Sequence, residues 1–209
     1  PYLEHFHALN RKHVMSKRTF LIIVSLLVLS FLATLGTGLY VWRSTSDNRA
    51  DLIGGAYTLV DQTGAKRTES SWPSQYKLIY FGYTYCPDFC PTTLTIMTEA
   101  LSQLDPNIAA QIKPLMISID PERDTVEALN QYHEHFDPRF TMLTGSPDQV
   151  KQAAQAYRVY YAKAETDAAS DYLMDHSSFT YLMAPDGSFV THFVYDTSSE
   201  EMAARLREI

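Results

Sequence analysis

Between Thr19 and Trp42 the chain runs TFLIIVSLLVLSFLATLGTGLYVW, 24 residues without one charged side chain. As a helix that stretch would be roughly 36 Å long, enough to cross a hydrocarbon core of about 30 Å. A cleaved secretory leader has a shorter apolar stretch, about 7–15 residues, closed by a small-x-small site. This run is longer and ends Leu39-Tyr40-Val41-Trp42, with two aromatic residues suited to a membrane interface. It therefore reads as an uncleaved transmembrane anchor over residues 19–42, after an N-terminal segment 1–18 and before a polar linker 43–51. Arg11, Lys12, Lys17 and Arg18 precede it, whereas Arg43 and Arg49 behind it are offset by Asp47 and Asp51. The positive-inside rule then places residues 1–18 in the cytoplasm or a mitochondrial matrix. Everything after the anchor is expected in the periplasm or, with less support, the intermembrane space. No Arg- and Ser-rich presequence is visible, which favours a bacterial inner membrane.

Residues 52–209 carry 11 Lys+Arg against 21 Asp+Glu, a net of −10. So acidic a domain is a poor partner for nucleic acid. Its length supports one hydrophobic core.

The only two cysteines of the chain lie in Tyr80-Phe81-Gly82-Tyr83-Thr84-Tyr85-Cys86-Pro87-Asp88-Phe89-Cys90-Pro91. Ahead of them, Lys77-Leu78-Ile79-Tyr80-Phe81 reads as a buried strand. Behind them, Leu94, Met97, Leu101 and Leu104 recur at helical spacing. Pro87 and Pro91 push Cys86 and Cys90 away from helical geometry. Both cysteines are therefore expected on a strand-to-helix loop, with Pro91 as the first helical residue. There the helix macrodipole would favour a thiolate at Cys90. Two thiols so placed can form a reversible disulfide, share a soft metal ion, or alternate between the two.

Further along, Asp124 to Glu127 and Ser146 to Gln149 have the spacing of capping boxes, and Ser198 to Glu201 opens a helix toward Ile209. Strands are expected at Lys113–Ile119, Phe140–Leu143, Phe179–Ala184 and Ser188–Val194, the last two joined through Pro185-Asp186-Gly187. A small hairpin, Tyr57–Asp61 with Lys66–Thr68, precedes them. Strands alternating with helices predict a partly parallel α/β sheet covered on both faces. The closing antiparallel hairpin and helix suit a thioredoxin-like fold. The cysteines then sit beyond the carboxyl end of a strand, where open α/β sheets bind ligands.

Seven histidines are available as further ligands. His5, His7 and His13 precede the anchor. His133 and His135 are two apart on a predicted helix and point to different faces, so they cannot chelate together. His192 falls within a hairpin strand. His176 lies in the loop Asp171-Tyr172-Leu173-Met174-Asp175-His176-Ser177-Ser178, just ahead of the strand expected beside the dithiol strand. In a thioredoxin-like sheet that loop faces Cys86 and Cys90. Met174 reads as packing, and Asp88 and Asp175 are candidates to orient the imidazole. Structural zinc normally wants four protein ligands and iron–sulfur clusters usually four cysteines. A set of two thiolates and one imidazole fits copper best.

Three motifs carry a resemblance to the Sco (SenC/PrrC) family of membrane-anchored copper proteins: the Tyr80–Pro91 stretch, Ser118-Ile119-Asp120-Pro121-Glu122-Arg123-Asp124-Thr125, and Asp175-His176-Ser177. The resemblance implies a thioredoxin-like domain over 52–209 that binds copper ion through Cys86, Cys90 and His176. The family's role is assembly of the binuclear copper centre in subunit II of cytochrome c oxidase. Its members act as copper chaperones, as reductants of that subunit's thiols, or both. The partners implied are subunit II, an upstream copper donor and a thioredoxin-like reductant, with no enzymatic turnover required. The rival class is a thiol–disulfide oxidoreductase or redox-signalling protein using Cys86 and Cys90 as a redox disulfide. Thioredoxin-like enzymes, however, usually have Cys-x-x-Cys and a cis-proline before the facing strand. Here the spacer is three residues and the approach to Phe179 contains no proline.

Overall fold

The computed structural model describes residues 16–50, 53–164 and 172–209. His5, His7, Arg11, Lys12, His13, Asp51 and Asp171 lie outside the described residues.

The N-terminal unit is one helix, α1 (Lys17–Ala50). Its stretch Lys17–Val41 is long and apolar enough to cross a membrane. Phe20, Leu21, Ile22 and Ile23, which follow one another around a full turn, are all exposed, so the helix is apolar around its circumference rather than along one face. The helix also runs through residues 43–50, which the sequence reading gave as linker. Neither Gly nor Pro occurs from Leu39 to Ala50, so nothing local stops the backbone.

In the second unit, β1 (Thr58–Asp61) and β2 (Lys66–Thr68) form the expected hairpin. Then follow β3 (Tyr76–Gly82), α2 (Phe89–Ser102), the short α3 (Pro106–Ala109) and β4 (Ile112–Ser118). The chain continues through α4 (Val126–His133), β5 (Thr141–Thr144), α5 (Pro147–Ala156), β6 (Tyr161–Lys163), β7 (Met174–His176), β8 (Thr180–Met183), β9 (Phe189–Phe193) and α6 (Ser199–Leu206). The main sheet has seven strands in the order β2-β1-β5-β4-β3-β8-β9. β3, β4 and β5 are mutually parallel, while β8 pairs antiparallel with β3 and β9 with β8. This is the thioredoxin-like α/β arrangement expected, with an extra hairpin at the β5 edge.

Central strands are apolar on both faces because helices cover both sides. Leu78, Ile79, Tyr80 and Phe81 on β3 and Leu115, Met116 and Ile117 on β4 have no solvent exposure. The β8–β9 turn works as its sequence suggests: Gly187 takes a φ of +90°, and the Asp186 carboxylate accepts from the Ser188 amide at 2.9 Å. The capping boxes at Ser146/Gln149 and Ser198/Glu201 are both formed.

Three local expectations give way. The helix after the cysteines starts at Phe89, not Pro91, which places Cys90 inside the first turn. Thr125, not Asp124, caps α4. The Asp124 carboxylate turns inward and accepts from Thr84 Oγ1 and Ser118 Oγ, both at 2.6 Å. Finally, His176 ends a strand instead of lying in a loop: β6 and β7 form a separate two-stranded ribbon that pairs His176 with Tyr161. Three-residue, largely polar strands leave no periodicity to read.

Candidate metal centre

β3 delivers the chain to the cysteines, and Gly82 at its end is fixed by space. A Cβ there would fall 2.6 Å from Tyr80 Cε1 and 3.0 Å from Cys90 Sγ, so a side chain would collide with the thiol. Beyond Gly82 a turn closes with the Cys86 amide donating to the Tyr83 carbonyl at 3.3 Å. The Thr84 amide and hydroxyl anchor that turn to Asp124. Cys86 reaches the base of an open cavity of about 450 Å³ that is also lined by Met174, Asp88, Asp175 and His176. Cys90 lies beneath it with no solvent exposure, and both cysteines are free thiols.

The two sulfurs are not equivalent. Cys86 Sγ accepts from the Cys90 amide at 3.3 Å, using the donor-rich first turn of α2. The Cys90 thiol also donates to it. The bond from the Cys90 thiol, with the amides of Asp88 and Cys90, pulls the Cys86 thiol far below its ordinary value despite burial. The same thiol–thiol bond, reinforced by burial, pushes Cys90 up. The preference for thiolate therefore belongs to Cys86, not to Cys90 at the helix start, because the Cys90 thiol donates to Cys86 and Cys90 is the more deeply buried.

His176 is brought to this pair from 86 residues away, with Nε2 at 3.9 Å from Cys90 Sγ. Its Nδ1 faces the Ser177 carbonyl at 3.1 Å. A carbonyl can only accept, so Nδ1 carries the proton and Nε2 is left facing Cys90 Sγ. The Tyr80 and Tyr83 rings meet the imidazole edge-on, at centroid distances of 6.0 and 6.1 Å. Burial pushes the Tyr80 phenol well up, so it stays protonated and donates to Cys90 Sγ at 3.5 Å. Asp88 and Asp175, expected to orient the imidazole, are instead exposed at the cavity rim, and the Ser177 carbonyl takes that part. Nothing in the sequence marks a backbone carbonyl for this task. Tyr80 could have been suspected from its position on the dithiol strand.

The remaining histidines among the described residues stay apart from the cavity. His133 Nε2 donates to the Phe140 carbonyl at 3.1 Å, and His135 is exposed. His192 is exposed on β9 against Phe179 and Phe189. Met174 is buried, its amide donating to the Tyr83 hydroxyl at 3.2 Å. The structure thus brings the two thiols and the His176 imidazole to one end of an open cavity, although among the described residues no three His, Cys, Asp or Glu side chains meet as a ready-made metal site.

Comparison with known proteins agrees with this architecture. Human mitochondrial SCO1 homolog is 42% identical over 156 residues, which is 74% of this chain and 52% of the relative, so the match spans about half of that protein's length. An SCO2-like protein of Rickettsia conorii is 43% identical over 156 residues, 74% of this chain and 76% of its own. Among solved structures, ScoI of Bradyrhizobium japonicum, determined with copper bound, superposes with a TM-score of 0.68 at 41% identity, over 75% of this chain and 98% of that one. Residues 45–209 match the SCO1/SenC model as one continuous segment, and with the sheet order and the dithiol in place this chain belongs to the SCO1/SenC family.

Proposed function

We propose that the domain after α1 is a copper metallochaperone, anchored by α1 in an inner membrane with residues 52–209 in the periplasm. It binds one copper ion through Cys86, Cys90 and His176 and supplies it to subunit II of cytochrome c oxidase. The observation that carries this reading is the orientation of His176, whose Nε2 faces Cys90 Sγ at 3.9 Å while Nδ1 is occupied by the Ser177 carbonyl. The copper-bound ScoI relative supports the choice of metal. Binding releases the Cys90 proton, because the ligand is the thiolate. With Cys86 held low and Cys90 high, loading is therefore coupled to deprotonation of the buried thiol.

A second reading has an observation of its own. A low, cavity-facing thiol next to a buried partner is also the arrangement of an attacking and a resolving cysteine, which favours reduction of thiols on the same oxidase subunit. Both readings need the two cysteines, whereas only metal delivery needs His176. The test is oxidase activity in a deletion strain carrying wild type or His176→Ala, with and without added copper. Failure of His176→Ala at limiting copper, partly recovered on copper addition, is expected. Full rescue at limiting copper would sink the chaperone reading and leave the reductant.

A further inference from the structure

The motif Ser118–Thr125 holds no proposed metal ligand, yet it joins the two halves of the centre. Arg123 is its hub. The guanidinium Nε pairs with Asp120 Oδ2, and Nη1 donates to the Tyr172 carbonyl at 2.9 Å. Its Cζ lies 3.7 Å from the centre of the Tyr172 ring and 4.6 Å from that of Tyr85. Nη2 is buried and has no hydrogen-bond partner among the described residues, as fits a guanidinium held between aromatic faces. Asp120 closes the arrangement, its Oδ1 accepting from the Tyr172 hydroxyl at 2.7 Å. Tyr85 immediately precedes Cys86, and Tyr172 leads into β7, which ends at His176.

We propose that Arg123 is a positioning residue for the metal centre, clamping the β6–β7 ribbon that carries His176 onto the loop that carries Cys86. Among the described residues the ribbon forms no strand pairing with the main sheet, so its placement depends on side-chain contacts of this kind. A planar, forked cation satisfies all of these contacts at once: two polar partners in its plane and a ring against its face. Lysine offers neither the fork nor the plane. Asp124, the next residue, fixes the cysteine loop from the other side through Thr84, so consecutive side chains of one motif hold both ligand-bearing segments.

The copper part of the test rests on the proposed function; the exchange part does not. The full chain in detergent is compared as wild type, Arg123→Gln, Arg123→Lys and Tyr172→Phe. Amide exchange is measured without metal, and affinity for Cu(I) alone is measured against a chromophoric chelator. Arg123→Gln should weaken Cu(I) binding by roughly 10- to 100-fold, as loss of a group that orients a ligand does. It should also speed exchange at residues 161–163 and 174–177 while leaving β3 and β4 protected. Arg123→Lys should recover only part of the affinity. Tyr172→Phe keeps the ring and loses only the bond to Asp120, so a loss of roughly 2- to 10-fold is expected, and this variant decides the matter if Arg123→Gln does not fold. Unchanged ribbon exchange, or exchange faster across the whole domain, would overturn the positioning role. If wild type binds no copper, the proposed function fails while ribbon exchange still decides the clamp.

Discussion

The backbone amide of Cys90 donates to the sulfur of Cys86 across 3.3 Å, so the first turn of α2 stabilises charge on the cysteine outside the helix. The Cys90 thiol, donating to the same sulfur, is the larger reason that Cys86 is the acidic member of the pair, and this bond adds to it.

Thiol reagents attack thiolate, so the lowered Cys86 should alkylate readily at neutral pH, and its rate should hold as pH falls until the lowered value is approached. Cys90, raised and without solvent exposure, should remain unmodified in the folded protein. Mass mapping after brief treatment with iodoacetamide between pH 5 and pH 9 checks this. Preferential labelling of Cys90 would contradict the assignment.

Gly82→Ala should damage the centre without touching a ligand. The added methyl meets Tyr80 Cε1 and Cys90 Sγ at once, and crowding of this kind costs about 1–3 kcal/mol. Urea unfolding of the metal-free protein should show the loss, and Cu(I) affinity should fall with it because Cys90 must move aside. Wild-type values for both would mean that the strand end yields more easily than its packing implies.

The hairpin away from the site gives a stability prediction. Burial alone would raise the Asp61 carboxyl, but the Thr63 hydroxyl, Arg67 and the amides of Thr63 and Ala65 outweigh it and hold the group below its ordinary value. A lowered carboxyl contributes stability that is complete above its unfolded value, about 3.9, and is lost as pH falls through the folded one. Asp61→Asn should cost about 1–2 kcal/mol at pH 7, chiefly through bonds to the buried carboxylate, since Arg67 is partly solvated. The variant should also lose less stability than wild type between pH 5 and pH 3. Parallel urea curves for both proteins over that interval would refute the linkage.

The direction of the anchor is tested by fusion. A reporter joined after Ile209 that is active only in an exported compartment should give signal, and one that needs the cytoplasm should give none. The reverse pattern would invert the orientation argued from Lys17, Arg18 and their basic neighbours.

What the sequence made legible was local. Ser146 and Ser198 announced their helices because a capping box is complete within four residues, and Asp186-Gly187 announced its turn for the same reason. Apolar runs marked β3 and β4, and their order implied the β3–β8 pairing that places His176 near the cysteines. The hidden features depend on distant partners. Asp124 carries a helix-capping signature, yet Thr84 and Ser118 draw its carboxylate into the interior. The ribbon of β6 and β7 exists only because two short polar segments find each other. The choice between Cys86 and Cys90 as the acidic thiol turned on which sulfur accepts from the other and which is buried deeper.

The ribbon gives copper a mechanical consequence. Cys90 belongs to the body of the domain through α2, while His176 hangs on strands outside the main sheet. A metal bonded to both would act as a cross-link closing a loop of 86 residues, and long loops gain most from such a closure. Binding at a few atoms would thereby draw a whole ribbon tight, and a partner that competes for the imidazole alone would slacken it. Surrender of the ion could begin at His176 with the hydrophobic core left undisturbed.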